Sequence, residues 1–175
     1  MKMKIIELIK LIKLIKTDIA RNKRKLFFSF IDMNTRAVIA FRINHFIYMN
    51  CSKKISIILH NFHRRKYNVD IYPKVQIGSG FKIAHLGAIV IGDGVKIGRN
   101  VTIQSGVTVG QKDIKSGYPI IKDNVYIGTG AKVLGDVIIE SNAVIGANAV
   151  VLHNVKQGEI AVGAPARCLK RNDKK

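Results

Sequence analysis

The feature that constrains this chain most is an aliphatic residue at every sixth position. Between residues 91 and 151, Ile or Val occupies ten of the eleven positions spaced by six, and the exception is Lys115. A second ladder of Val and Ala runs two residues before the first, from Val95 to Val155. Apolar positions that alternate with polar ones in this way predict very short strands with one buried face.

A unit of six residues cannot bury its own apolar face, so copies must stack on one another. This predicts a β-solenoid. Glycine follows the main ladder where the chain has to turn without a side chain. An earlier part of the ladder, Ile71, Ile77 and Ile83, is displaced by two residues from the part that begins at Ile91. We therefore expect an irregular corner between these two parts.

The chain changes character near residue 66, because all 15 glycines and all 3 prolines lie after it. A stretch without these residues and rich in Ile, Leu, Lys and Arg predicts helices. We expect the first helix to be followed by a break capped by Thr17 or Asp18. We expect a second helix to begin at Asn34 or Thr35 and run to about Asn50, and a third at Lys53–His63. We divide the chain into a helical region 1–66, a solenoid 67–168 and a basic tail 169–175.

The net charge is +19, and residues 1–66 hold 16 basic against 3 acidic side chains. Such a field attracts anionic partners. No nucleic-acid recognition module accompanies the charge, so nucleic acid is not predicted as a partner. The first helix repeats its lysines every three residues, which favours either packing against neighbouring subunits or peripheral contact with an anionic membrane.

The first helix lacks the features of an export signal or a membrane span. Lys10, Lys13 and Lys16 interrupt its apolar residues, and no apolar run approaches ~18 residues. Cys51 and Cys168 lie too far apart in sequence for a CxxC site and cannot form a disulfide framework. We therefore expect a cytoplasmic protein, with the inner membrane face as the other location consistent with its charge.

His85 is the candidate functional side chain of the repeat region, because it lies at the displacement in the ladder. Asp70 precedes it by 15 residues, and stacked strands lie ~4.8 Å apart. The pattern predicts that the carboxylate meets the imidazole. A carboxylate that accepts from one ring nitrogen leaves the other nitrogen free to take a proton.

Several short motifs follow in an order that is typical of one family. They are Asp70-Ile71-Tyr72-Pro73, Ala84-His85-Leu86-Gly87, Val107-Thr108-Val109-Gly110, Gly128-Thr129-Gly130-Ala131-Lys132-Val133-Leu134-Gly135 and Gly163-Ala164-Pro165-Ala166. Residues 69–168 resemble the hexapeptide-repeat acyltransferases, in particular the serine acetyltransferase branch, which includes capsular and exopolysaccharide O-acetyltransferases. The N-terminal segment 41–45 also resembles a helix of the polysaccharide enzymes.

This resemblance implies a mainly β fold, a left-handed parallel β-helix with three hexads per coil, preceded by an α-helical segment. We interpret the interval from Val109 to Ile127 as one coil of 18 residues. Because Lys115 interrupts the ladder there, residues 111–118 are expected to form a loop that bulges from that coil.

The resemblance also implies direct acetyl transfer from acetyl-CoA in a ternary complex, with His85 as general base and Asp70 orienting its ring. Backbone N–H groups near Gly110 or Gly117 are candidates for the oxyanion site. Neither a nucleophilic elbow nor the converging histidines of a metal-dependent relative is present, so no metal is predicted.

By the same resemblance, acetyl-CoA lies in a groove between two β-helices, which implies a homotrimer that the N-terminal helices could double into a dimer of trimers. The positions implied for the cofactor arm and its phosphates are Thr129, Ala131, Ala147, Ala149, Arg167 and Lys170. Each of these residues also fits ordinary coil packing or a solvated surface.

The acceptor side departs from the serine enzymes. They carry an Asp before the catalytic His and a His before the Pro that ends the loop, whereas this chain has Ala84 and Tyr118. We therefore predict a sugar hydroxyl as acceptor, on an anionic glycan or lipid-linked saccharide, with Tyr118 at the acceptor site. Serine O-acetyl transfer and a non-enzymatic basic scaffold at a membrane are the alternatives.

Overall fold

The computed structural model describes residues 2–21 and 32–170. Three helices precede a β-solenoid of about five turns, which confirms the predicted fold class. The helices are α1 Lys2–Arg21, α2 Met33–Asn50 and α3 Lys53–Tyr67. Within the described residues, none of these helices combines the length and apolarity that crossing a bilayer requires.

The solenoid consists of fifteen short strands in three sheets. Sheet 1 contains β1 Val69–Ile71, β4 Ile89–Ile91, β7 Thr108–Gly110, β10 Lys132–Leu134 and β13 Val150–Val151. Sheet 2 contains β2 Gln76–Ile77, β5 Lys96–Ile97, β8 Ile120–Ile121 and β11 Ile138–Ile139. Sheet 3 contains β3 Lys82–Ile83, β6 Thr102–Ile103, β9 Tyr126–Ile127, β12 Val144–Ile145, β14 Ile160–Val162 and β15 Arg167–Leu169. All pairs are parallel except β14 with β15.

Both sequence ladders fill the interior of the solenoid. From Ile91 to Val151, every aliphatic residue of the main ladder is at most 5% exposed. The second ladder, from Val95 to Val155, is buried equally well. Parallel stacking places each residue on its equivalent in the next coil, so Ile, Val and Ala fill the narrow interior, and Phe81 is the large side chain buried in the first coil.

Coil length is where the sequence prediction was wrong. Val109 is paired with Val133, not with Ile127, so that coil spans 24 residues rather than 18. The extra six residues form the expected loop between β7 and β8, and they preserve the phase of the ladder. In the first coil Val69 is paired with Ile89, twenty residues later. This coil therefore contains two residues more than an 18-residue coil, which accounts for the displacement of the ladder.

Left-handed backbone conformations turn the chain at the corners. On the corner between sheets 2 and 3, Asn100, Asn124 and Asn142 all have φ between 57° and 63°. Each of the three donates its backbone N–H to the coil below. Asparagine tolerates this conformation better than other residues with a side chain, because its short polar group bonds locally.

The helix boundaries differ from the sequence signals in detail. Asp18 is buried inside α1 and does not cap a break. Asp32, rather than Asn34 or Thr35, caps α2, and it accepts from the Thr35 N–H at 3.1 Å. Ser52 caps α3, which continues four residues beyond the predicted end to Tyr67. Side-chain capping satisfies backbone donors that a helix leaves unpaired.

The apolar side chains of α1 are largely exposed within the described part of the chain. Ile5, Ile6, Leu8, Ile9 and Ile12 are each between 45% and 53% exposed. They remain available for contact with another surface, which both interpretations of this basic helix require.

A buried guanidinium fastens the helices to the first coil. Arg42 of α2 donates to the Asp18 carboxylate of α1 at 2.8 Å and to the carbonyl oxygens of Ile77 and Gly78 at 2.5 Å each. Asp18 also accepts from the Phe81 N–H at 3.0 Å. Burial raises the pKa of the Asp18 carboxyl, and the contact with Arg42 opposes this effect.

Replacing Arg42→Ala should lower the free energy of unfolding by about 3–5 kcal/mol, because it leaves a buried charge and two carbonyls without their donor. Urea denaturation measures this change. Arg36→Ala on the same helix is the control and should change stability by less than about 0.5 kcal/mol. Equal effects of the two substitutions would contradict the role given to Arg42.

Candidate active site

The predicted base and four of the six predicted cofactor positions share one edge of the solenoid. We call edge 3–1 the series of corners that lead from sheet 3 to sheet 1, residues 84–88, 104–107, 128–131 and 146–149. His85 lies on its first corner with an exposed side chain. Thr129 and Ala147, also exposed, lie on the higher corners of the same edge.

The corner that carries His85 has an unusual backbone. Gly87 has φ of 121°, and Ala88 has φ of 48°. Among the described residues, Ala88 is the one left-handed position that is neither Gly nor Asn. Such conformations cost of order 1–3 kcal/mol and are enriched at functional sites. Asn34 of α2 holds this corner by accepting from the Leu86 N–H at 3.1 Å.

Asp70 does not make the predicted contact with His85. Its Oδ1 lies 3.1 Å from His60 Nε2, and its Oδ2 accepts from Arg64 at 3.2 Å. Within residues 2–21 and 32–170, no hydrogen bond to the His85 ring is found. The reason is that α3 packs against β1 and brings an imidazole and a guanidinium to the carboxylate.

The His60 ring is fixed by this contact. Burial lowers the pKa of His60, although the negative charge of Asp70 opposes the effect. A carboxylate can only accept, so Nε2 is the nitrogen that carries the proton in this pair. Asp70 is thus held through both oxygens by one helix.

Tyr118 is anchored at the base of loop 111–119. Its hydroxyl donates to Asp93 Oδ1 at 2.6 Å. Its ring lies so close to Gly94 that a Cβ there would be 2.1 Å from a ring carbon. The hydrogen bond to Asp93 raises the pKa of the Tyr118 phenol. Gly94 is therefore required for the ring to lie against the corner.

The two glycines predicted for the oxyanion site differ in their surroundings. Gly110 ends β7, and its carbonyl accepts from the Gly135 N–H at 2.9 Å. A Cβ on Gly110 would meet nothing within 4 Å, so the space beside it is open. Gly117 is exposed in the loop beside Asp136.

His85 and Tyr118 lie at opposite ends of strand β4. His85 precedes β4, whereas Asp93, the partner of Tyr118, follows it. The strand and its flanking corner residues separate the two side chains. One chain therefore presents them on two different edges of the solenoid.

The predicted cofactor residues divide into two groups. Ala131 and Ala149 are fully buried, so their methyl groups belong to the core and only backbone atoms could meet a ligand. Thr129, Ala147, Arg167 and Lys170 are exposed. A Cβ on Gly128 would lie 2.7 Å from the Ala147 nitrogen, which shows how closely successive corners approach on this edge.

Comparison with known proteins identifies the family. Residues 118–153 match the model for bacterial transferase hexapeptide (six repeats). Serine acetyltransferase of Bacillus subtilis is 38% identical over 141 residues, 79% of this chain and 65% of the relative. Neisseria gonorrhoeae serine acetyltransferase in complex with serine superposes with a TM-score of 0.84 and 32% identity, covering 90% of this chain and 68% of the other.

This chain belongs to the serine acetyltransferase family of hexapeptide-repeat acyltransferases. A serine acetyltransferase structure described as a complex with CoA also matches, with a TM-score of 0.83, 31% identity, and coverage of 91% and 69% of the two chains. The chain spans between 49% and 65% of the length of the first curated relatives that it matches.

Three residues beside this candidate site were missed by sequence reasoning. Asp93 sits between Gly92 and Gly94, 25 residues before Tyr118, and a coil length of 24 would have revealed it. Asn34 and His60 carry no local signal, because they reach the solenoid only through helix packing. No group of three or more metal-ligating side chains exists among the described residues.

Replacing Tyr118→Phe should release the base of the loop, because Asp93 loses its donor. Trypsin should then cut after Lys112 or Lys115 severalfold faster than in the parent protein. The variant should also lose a phenol that titrates above the ordinary pKa of ~10, as followed by absorbance near 295 nm. The control is Tyr126→Phe, which removes a hydroxyl that accepts from Gln104 at 2.9 Å. This control should leave cleavage unchanged.

Proposed function

We propose that the protein is an acetyl-CoA-dependent O-acetyltransferase in which His85 is the general base. The observation that carries this proposal is the exposed imidazole on a strained corner of edge 3–1, in a member of the serine acetyltransferase family. Thr129 and Ala147 lie on the same edge and offer a small-residue surface for the pantetheine arm.

In the proposed reaction, His85 takes the proton of the acceptor hydroxyl as its oxygen attacks the thioester carbonyl. A C–O bond forms, the C–S bond breaks, and the imidazolium returns the proton to the departing thiolate of CoA. General-base assistance of this kind contributes roughly 10²- to 10⁴-fold in rate. No covalent enzyme intermediate is needed.

Asp70 can support the imidazolium while it remains bound to α3. A carboxylate accepts up to about four hydrogen bonds, so its contacts with His60 and Arg64 leave room for a third donor. The oxyanion of the tetrahedral intermediate needs a backbone donor. Gly117 and Gly110 remain the proposed sources, and the open space beside Gly110 favours close approach of a substrate.

The proposed assembly is a homotrimer. His85 and Tyr118 occupy different edges of one chain, so a site that uses both needs His85 from one chain and Tyr118 from another. Closed cyclic symmetry repeats such a heterologous contact around a ring, and the resemblance to the hexapeptide-repeat enzymes implies a ring of three. The exposed apolar residues of α1 provide a surface through which two trimers could associate or through which the protein could approach a membrane.

Serine is the acceptor that the relatives favour, because the matched proteins are serine acetyltransferases and two matched structures are described as complexes with serine. The glycan acceptor expected from the sequence gains no support from these comparisons. A sugar hydroxyl is retained as a second candidate on one observation. Ala84 and Tyr118 provide neither the carboxylate nor the imidazole that the serine enzymes use for the amino acid.

The decisive experiment incubates the protein and acetyl-CoA with serine or with neutral and acidic sugars, and detects added acetyl groups by mass spectrometry. His85→Gln should lower the rate of transfer roughly 10²- to 10⁴-fold and leave CoA binding intact. His63→Gln on α3, whose ring packs beside Phe62 and Tyr67, is the control and should retain full activity. Transfer by the His85→Gln variant at the parent rate would overturn the proposed base.

Arg167→Gln should raise the KM for acetyl-CoA roughly tenfold, the factor expected when one charge-assisted contact with a phosphate is lost. The KM for 3′-dephospho-acetyl-CoA should not change, since that donor lacks the phosphate. Lys170→Gln should act in the same direction. An equal rise with both donors would show that Arg167 acts elsewhere.

A further inference from the structure

A groove of about 580 Å³ separates the helices from the first two coils of the solenoid. Tyr48 of α2 and Lys53 of α3 form one wall. Lys74, Asp93 and Lys96 form the other. Pockets of this volume enclose most of a drug-sized molecule, so the groove is larger than a free amino acid requires.

The groove is positively charged. It brings together three exposed ammonium groups, from Lys53, Lys74 and Lys96, and one carboxylate, from Asp93. The hydroxyl of Tyr118 donates to that carboxylate. Three lysines around one depression, with a single acid already hydrogen-bonded, favour an anionic occupant.

One aromatic side chain, Tyr48, lines the groove beside these charges. Lys53 Nζ lies 5.7 Å above the Tyr48 ring, and the rings of Tyr48 and Tyr72 meet edge to face at 6.2 Å. Tyrosine offers an apolar ring and a polar tip, which together suit a pyranose. The combination of ammonium groups and a tyrosine is therefore typical of a site for an acidic sugar.

We propose that this groove binds a saccharide bearing a phosphate or carboxylate group, with the lysines on the anion and Tyr48 on the sugar ring. Its role as the acceptor subsite rests on the proposed function. The link between the two is Asp93, which lines the groove and also anchors Tyr118. A sugar held there extends toward the loop that carries the predicted acceptor contact.

Titration calorimetry without acetyl-CoA tests the proposal with glucose 1-phosphate, glucuronate and neutral glucose as probes. At least one acidic sugar should bind more than roughly tenfold tighter than glucose, and rising ionic strength should weaken it. The phosphate and carboxylate arms show which anion the lysines prefer. Failure of both acidic sugars to exceed glucose overturns the proposal.

Lys74→Gln combined with Lys96→Gln should weaken the acidic sugar at least roughly tenfold. Lys156→Gln, an exposed lysine on the last coil, is the single-charge control and should leave affinity unchanged. Equal loss in the control would show a diffuse charge effect and overturn the assigned site. A thermal melt of each variant confirms folding.

This measurement is independent of catalysis. If the acidic sugar binds but receives no acetyl group, the groove stands and its acceptor role fails. If acetyl transfer occurs while both acidic sugars bind no better than glucose, the proposed function stands and the groove assignment fails.

Discussion

The width of the solenoid interior is the constraint on which the other features depend. Each coil contributes a few aliphatic side chains that stack on those of the next coil, and both ladders are almost completely buried. Any residue beyond the repeat must therefore leave through a corner. The three departures from the repeat are a displacement of two residues at His85, an insertion of six in loop 111–119, and a last coil shortened to sixteen residues between Ile145 and Ala161. The two residues proposed for the active site, the base His85 and the acceptor residue Tyr118, lie at the first two of these departures.

The helices contribute more than a covering for the first coil. Arg42 and Asp18 bind α1, α2 and the backbone near Gly78 into one buried network. This attachment positions the start of α2, so that Asn34 contacts the corner that carries His85. It also positions Tyr48 and Lys53, which form one wall of the proposed sugar-binding groove. The helical region thus shapes the site although the repeat supplies the reactive imidazole.

The ladder, the corner displacement and the helices were predictable, because each follows from spacing or composition within a short window. The 24-residue coil was not predictable, because an insertion of six residues leaves the phase of the ladder unchanged. From spacing alone, Val109 could equally have paired with Ile127. The contact of Asp70 with His60 was also beyond local pattern. It depends on the packing of α3 against β1, which no spacing in the sequence encodes.

The final strand has a consequence for how molecules of this protein associate. β15 runs antiparallel to β14, opposite to every other strand pair. A parallel stack ends in open backbone groups that could template growth by another molecule. Because β15 reverses direction, the top of sheet 3 no longer offers a parallel surface in register. Another copy stacked with the same strand direction would meet β15 in the antiparallel sense and could not extend the parallel repeat of sheet 3.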